Sequence, residues 1–153
     1  MDVELVPGTY PLRQAPYRLH PQKREQMRKE VDYLLQQGLA VPSCSPWTSP
    51  CLLVPKEDGT YRFGTDYRRV NAVTVPDAYP LPRVDELIDE VGQAKYVTKL
   101  DLLKGYWQIP LTERAQRASA FITPFGHFQY LVAPFGMRNC HFSKGYVPVN
   151  TRS

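Results

Sequence analysis

Fifteen prolines in 153 residues restrict the folding of this chain more than any other feature of its sequence. That share is about twice the share in an ordinary soluble protein. Each proline fixes its own φ angle and removes one backbone N–H donor, so a proline in a helix interior breaks the helix. The sequence therefore favours many turns and extended segments, and it disfavours a helical bundle.

Composition indicates a globular protein, and we expect it to work inside the cell. With 42% hydrophobic and 22% charged residues it can build the core of one domain, or of a large part of one. The sequence has no apolar run of ~20 residues, and its acidic, proline-broken start "MDVELVPGTYPLR" is unlike a secretory signal, so we expect neither a secretory leader nor a membrane partner. Cys44, Cys51 and Cys140 lack the spacing of metal ligands, and their odd number fits a reducing location, the cytoplasm or nucleus.

The charge balance is mildly basic, with a net charge of +4 and an isoelectric point near 9.0. Such a balance favours a polyanionic partner such as nucleic acid, although an ordinary basic protein is the simpler interpretation. One face of the first predicted helix carries four of the cations, and it is either a solvated face or a phosphate-binding one: Lys23, Arg24, Arg28 and Lys29.

Local patterns predict short helices and strands in irregular alternation, which is typical of an α+β protein. We expect an extended, unanchored segment over 1–19, a helix from Pro21 to a stop at Gly38, and a loop over 41–50. We further expect a hairpin of strands Cys51–Val54 and Tyr61–Asp66 around Asp58–Gly59, a helix Val84–Val91 ended by Gly92, and strands Lys95–Leu102, Ala118–Thr123 and Phe128–Ala133.

Asp101 raises a chemical question because it interrupts an apolar segment, "KYVTKLDLL". A carboxylate there is costly to bury without compensation. Carboxylate oxygens with a nearby backbone carbonyl suit Mg²⁺. The alternatives are that Asp101 caps the turn beginning at Leu102 or pairs with Lys99 or Lys104, and the isolated residue leaves all of them open.

Four motifs in unbroken order resolve the question by resemblance. They are "LVPKEDGTYRFGTDYRRVN" (53–71), "PLPRVDELID" (80–89), "KLDLLKGYWQI" (99–109) and "TPFGHFQYLVAPFGMRN" (123–139). The set resembles the reverse transcriptase, or RNA-directed DNA polymerase, of gypsy-type LTR retrotransposons, over roughly residues 10–140. The resemblance implies an α+β, partial right-hand polymerase with a fingers subdomain and an incomplete, ferredoxin-like palm. Its parts would be an extended segment (1–19), fingers (20–94), a partial palm (95–140) and a divergent tail (141–153).

The resemblance implies two-metal phosphoryl transfer to a primer 3′-hydroxyl. Asp101 matches the first of three catalytic aspartates and would bind Mg²⁺, or Mn²⁺, together with the backbone carbonyl of Leu102. The partners would be a primed RNA or DNA template, a deoxynucleotide and the remainder of a retrotransposon polyprotein.

Five further residues match nucleotide-binding positions of the family. Lys56 and Arg62 would contact the nucleotide phosphates, with solvation of an exposed turn as the alternative. Tyr106 would exclude a ribose 2′-hydroxyl, with core packing as the alternative. Phe135 and Gly136 would form the floor of the nucleotide pocket.

Template contact is the role that the resemblance implies for four more residues. Asp66, Arg68 and Asn71 would shape the fingers and touch the template backbone, and an internal Asp–Arg pair is the alternative. Trp47 would contact the template from its loop, and packing is the alternative.

The printed sequence lacks the family's Tyr-x-Asp-Asp hairpin, which carries the second and third catalytic aspartates. One carboxylate does not hold two Mg²⁺ ions, so we expect this chain alone to be inactive. Two other functions remain open at this point: a non-enzymatic nucleic-acid-binding remnant, and a partner that docks on a fuller copy of the polymerase.

Overall fold

The computed structural model describes residues 1–78, 83–98 and 104–139. Within them the chain forms, in order, α1 (Pro21–Gln36), β1 (Ala40–Pro42), β2 (Ser49–Pro55), β3 (Tyr61–Thr65), α2 (Arg68–Ala72), α3 (Val84–Gln93), a 3₁₀ turn (Gly105–Gln108), α4 (Glu113–Ala118), β4 (Phe121–Thr123) and β5 (Gly126–Tyr130). This mixture confirms the predicted α+β class.

The five strands form one sheet in the order β1-β5-β4-β2-β3. Only the β2–β4 pair is parallel, with Ser49 opposite Phe121 and Pro50 opposite Ile122. The sheet therefore joins strands from the predicted fingers region and the predicted palm region. The division of the chain at residue 94 stays a prediction.

Helix α1 begins and ends where the sequence predicts. Pro21 occupies the first turn, where its missing N–H costs no hydrogen bond. Gly38 adopts φ +67°, and the N–H groups of Gly38 and Leu39 bond back to the carbonyls of Leu35 and Leu34. The buried side of the helix consists of Met27, Val31 and Leu34.

The β2–β3 hairpin also forms as predicted, because its turn chemistry is local. The Lys56 N–H donates to the Thr60 carbonyl at 2.8 Å, and Gly59 takes φ +79°. The Asp58 carboxylate accepts bonds from the Thr60 N–H at 2.9 Å and the Thr60 hydroxyl at 2.6 Å. These bonds hold the pKa of Asp58 below its usual value.

The prediction that residues 1–19 are unanchored is wrong. Val3 is fully buried, and the Val6 N–H donates to the Val73 carbonyl at 2.9 Å. The Met1 amino group donates to the Pro110 carbonyl at 2.6 Å. Asp2 pairs with Arg114, which lowers the pKa of Asp2 to about 2. Long-range backbone pairing thus fixes a segment that has no helix or strand pattern of its own.

Several predicted boundaries also need correction. The predicted loop 41–50 contains the end of β1 and the start of β2, and α2 was not predicted. Residues 95–98, the described part of the predicted strand Lys95–Leu102, form no strand. Helix α3 includes Gly92 and extends to Gln93. Strand β4 ends at Thr123 as predicted but begins at Phe121 rather than Ala118. Strand β5 is Gly126–Tyr130 rather than the predicted Phe128–Ala133, because pairing partners set the ends of strands.

An aromatic group lies at the centre of the core. The Phe121 ring is fully buried, with the rings of Tyr130 at 4.9 Å, Phe128 at 5.7 Å and Phe63 at 6.2 Å between centroids. The buried Tyr67 hydroxyl donates to the Ser119 carbonyl at 2.7 Å. Strands β3, β4 and β5 are held together by this packing.

No helix in the described ranges is long and apolar enough to cross a membrane. Cys44 is an exposed free thiol, and Cys51 is a buried one whose pKa is raised by burial to about 12. Cys140 lies outside the described residues.

Candidate functional site

The tip of the β2–β3 hairpin presents two cations to solvent. Lys56 begins the turn, and Arg62 lies on β3 opposite Val54 of β2. Both side chains are exposed and line the same two pockets. The structure therefore brings together the two residues that the sequence predicts to bind phosphates.

The 3₁₀ turn carries two aromatic side chains in different directions. The Tyr106 ring packs edge-on against Phe135, with centroids 5.8 Å apart and planes at 80°. Tyr106 is 38% exposed and Phe135 is 66% exposed, so neither is a core residue. The structure thus places the predicted sugar-excluding residue beside the predicted pocket floor.

Asn71 anchors the loop that holds Phe135. Its side-chain amide donates to the Gly136 carbonyl at 2.8 Å, and its side-chain oxygen accepts the Arg138 N–H at 2.7 Å. The Arg138 guanidinium donates to the Asn71 backbone carbonyl at 3.1 Å. Gly136 adopts φ +87°, a conformation that favours glycine. The sequence does not reveal this role, because Asn71 and Gly136 are 65 residues apart.

Asp66 and Arg68 form the internal pair that the sequence left as an alternative. The guanidinium donates to both carboxylate oxygens, at 2.9 and 2.6 Å, and the Tyr17 hydroxyl adds a bond at 2.8 Å. Asp66 is only 8% exposed, and these bonds, led by those from Arg68, hold the pKa of its carboxyl well below the usual range. Template contact by this pair stays a prediction.

Trp47 packs in the core at 6% exposure. Its backbone carbonyl lies 2.9 Å from Nε2 of His127. The burial favours the packing interpretation over template contact.

The hairpin cations Lys56 and Arg62 also line a pocket that α1 and the start of the 3₁₀ turn complete. A pocket of about 310 Å³ is lined by residues of α1, the hairpin and the start of the 3₁₀ turn: Glu30, Tyr33, Leu34, Lys56, Tyr61, Arg62, Phe63, Lys104 and Trp107. The Lys104 ammonium donates to the Tyr33 hydroxyl at 2.8 Å. The sequence indicates no role for Lys104 beyond that of a partner for Asp101, because its position in this pocket depends on tertiary packing alone.

The predicted metal ligands Asp101 and Leu102 lie outside the described residues. In the described ranges, no group of three or more His, Cys, Asp or Glu side chains is arranged to hold a metal ion. A divalent-metal site at Asp101 remains a sequence prediction.

A family comparison connects this geometry to known proteins. Residues 54–142, more than half of the chain, match the family model described as reverse transcriptase (RNA-dependent DNA polymerase). The matched range includes the hairpin turn, β3, the 3₁₀ turn and the Phe135 loop. Helix α1, strand β1 and most of β2 lie before the matched range.

Curated relatives are polyproteins of mobile elements. The chain is 39% identical over 134 residues to the retrovirus-related Pol polyprotein from transposon 297 of Drosophila melanogaster, covering 84% of this chain and 13% of the relative. It is 38% identical over 120 residues to the Pol polyprotein from transposon gypsy of the same organism, covering 74% of this chain and 12% of the relative. The chain thus spans about an eighth of the length of these relatives.

Solved structures from foamy virus share the fold. The prototype foamy virus protease-reverse transcriptase, as its CSH mutant, matches with a TM-score of 0.74 at 30% identity, over 90% of this chain and 19% of the other. A foamy viral protease-reverse transcriptase in complex with double-stranded DNA matches with a TM-score of 0.68 at 25% identity, over 90% of this chain and 24% of the other. The chain therefore belongs to the reverse transcriptase family, as a fragment of the kind found in gypsy-type retrotransposon Pol polyproteins.

Proposed function

We propose that this chain binds a deoxynucleoside triphosphate and a primed template as part of a polymerase that extends the primer 3′-hydroxyl. One observation supports the proposal above the others. The hairpin cations share a pocket with Trp107, and the neighbouring Tyr106 on the same 3₁₀ turn contacts Phe135. The residues proposed to bind phosphate therefore share a pocket with the 3₁₀ turn that carries the residue proposed to contact the sugar.

Lys56 and Arg62 neutralise the triphosphate. An ammonium supplies a point charge, whereas a guanidinium offers a planar set of donors for phosphate oxygens. Both sit at the end of a hairpin whose turn is set by Lys56–Thr60 bonding, so the cations are presented on an ordered support. Their exposure leaves them accessible to a ligand.

Tyr106 selects the sugar. Its ring is held edge-on by Phe135, whose loop Asn71 anchors through Gly136 and Arg138. A ring fixed in this way excludes an added 2′-hydroxyl by contact. Substrate selection then depends on how firmly the loop is held.

Enzymes of this family use divalent metal ions, and in this chain Asp101 with the Leu102 carbonyl would hold Mg²⁺, or Mn²⁺. Bound there, such an ion would supply charge neutralisation at the phosphate that is attacked. A polypeptide of these 153 residues has no Tyr-x-Asp-Asp sequence. We expect it to bind nucleotide and not to polymerise.

A nucleic-acid template is proposed as the partner because the net charge of the chain is +4, and because a foamy virus relative was solved in complex with double-stranded DNA. An intracellular location, cytoplasmic or nuclear, is part of the same proposal, since Cys44 and Cys51 are free thiols.

Two measurements test the function. The first is titration of a 2′-deoxynucleoside triphosphate and of its ribose counterpart by calorimetry, with Mg²⁺ present. Lys56→Ala and Arg62→Ala should each weaken binding about tenfold or more, whereas Lys29→Ala, an exposed α1 lysine outside the pocket, should not. The second is primer extension by the chain, where we expect no incorporation. Equal binding by the three variants would refute the phosphate assignment, and incorporation above background would refute the inactivity.

A second candidate function, non-enzymatic nucleic-acid binding, is favoured by the basic face of α1. The Arg28 guanidinium lies 4.4 Å from the Phe125 ring centroid, and the Lys23 ammonium lies 5.6 Å from that of Tyr61. Basic side chains interleaved with rings are typical of single-strand binding surfaces. Salt-sensitive binding of an oligonucleotide that persists in Lys56→Ala and is lost in Arg28→Ala would support this function over the first.

A further inference from the structure

Lys104 is held in an unusual conformation at the entrance to the 3₁₀ turn. Its backbone adopts φ +52°, a region that residues other than glycine enter at an energetic cost. Its ammonium lies 4.6 Å from the ring centroid of Tyr33 and 4.7 Å from that of Trp107, in addition to its bond to the Tyr33 hydroxyl. Side-chain contacts therefore maintain a backbone geometry that the residue type disfavours.

These contacts direct Lys104 into the pocket of the hairpin cations. Lys56, Arg62 and Lys104 line it from two separate elements, and Glu30 supplies one carboxylate against them. The formal charge of these four side chains is +2. A pocket of about 310 Å³ with that charge suits a small polyanion rather than an apolar ligand.

We propose that Lys104 is a third phosphate-binding cation, which acts with Lys56 and Arg62 on the polyphosphate chain of the nucleotide. The inference rests on the proposed function, and it adds a residue to the site. An ammonium has three N–H donors, and Tyr33 accepts one of them, so two remain for phosphate oxygens. The two rings restrict the motion of the side chain, which lowers the entropic cost of binding.

The competing role is purely structural. Lys104 would then only brace the 3₁₀ turn against α1, through Tyr33 and Trp107. The two roles differ in one measurable respect, because a brace does not change the affinity for a ligand that lacks base and sugar.

Calorimetric titration of the whole chain with sodium tripolyphosphate separates them. Lys104→Met keeps an apolar stem over the rings and removes the charge, and it should bind about tenfold more weakly than the parent chain. Lys95→Met is the matched control, because Lys95 also lies over a ring, that of Tyr96 at 5.9 Å, but does not line this pocket. Its affinity should equal that of the parent.

Two more variants show whether a loss of affinity comes from the missing charge or from misfolding. Lys104→Gly suits φ +52° and should lose affinity as Lys104→Met does, whereas Lys104→Arg should retain most of it. The inference is overturned if the methionine and glycine variants bind like the parent, or if the parent does not bind tripolyphosphate. If deoxynucleotide binding depends on Lys56 and Arg62 but is unchanged by substitution of Lys104, the proposed function stands and the inference on Lys104 fails. If the chain does not bind deoxynucleotide at all, both the proposed function and the inference fail.

Discussion

Replacing Asn71 with alanine should loosen the loop that positions Phe135. The substitution removes the donor to the Gly136 carbonyl and the acceptor for the Arg138 N–H, two bonds of 2.8 and 2.7 Å. It leaves the bond from the Arg138 guanidinium to the backbone carbonyl of residue 71 in place. The perturbation is therefore confined to two hydrogen bonds.

The expected loss follows from the surroundings of those bonds. A neutral hydrogen bond contributes about 0.5–1.5 kcal/mol net, and a partner that water can reach is not left unsatisfied. Gly136 and Arg138 are both exposed, so the lower half of that range applies to each bond. Asn71→Ala should therefore lower the free energy of unfolding by about 1–2 kcal/mol.

Urea unfolding measures this loss, and amide hydrogen exchange locates it. The Arg138 N–H should exchange about tenfold faster in Asn71→Ala, since 1.4 kcal/mol corresponds to a factor of about ten. Asn71→Asp is the matched control, because its carboxylate still accepts the Arg138 N–H and only the donor to Gly136 is lost. Unchanged exchange at Arg138 in the alanine variant would show that Asn71 does not hold this loop, and would favour its predicted contact with template.

Three other predictions concern stability. The pKa of Asp66 is lowered in the folded state, so its contribution to stability is present above the unfolded pKa of about 3.9 and is lost as the pH falls below that value. Asp66→Asn should therefore flatten the decline of the urea midpoint between about pH 5 and pH 2. An unchanged slope would count against the Asp66–Arg68 pairing. Gly136→Ala should cost about 1 kcal/mol from its φ of +87° alone, because a Cβ there meets nothing within 4 Å; a larger loss in urea unfolding would indicate a steric cause instead. Phe121→Ala should lower the free energy of unfolding by about 3–5 kcal/mol, because the ring is fully buried among three others; a loss below about 1 kcal/mol would contradict the packing described.

Sequence patterns predicted the elements whose chemistry is local. Pro21 and Gly38 mark the two ends of α1, and Asp58–Gly59 form the turn of the hairpin, because each acts on backbone groups within a few residues. The ordered motifs then identified the family, and with it a shared phosphate-binding role for Lys56 and Arg62 as a prediction. The resemblance also placed Tyr106 and Phe135 at one site before their contact was known.

Only the tertiary structure decided the features that depend on distant partners. Residues 1–19 are anchored by pairing with residues near 74 and 110, and β1 exists because Ala40 faces Tyr130 on β5. The bonds from Asn71 to the Phe135 loop and from Lys104 to Tyr33 span 65 and 71 residues. A residue's own neighbours in sequence set its turn and cap preferences, whereas burial and side-chain pairing depend on which segments the completed sheet brings together.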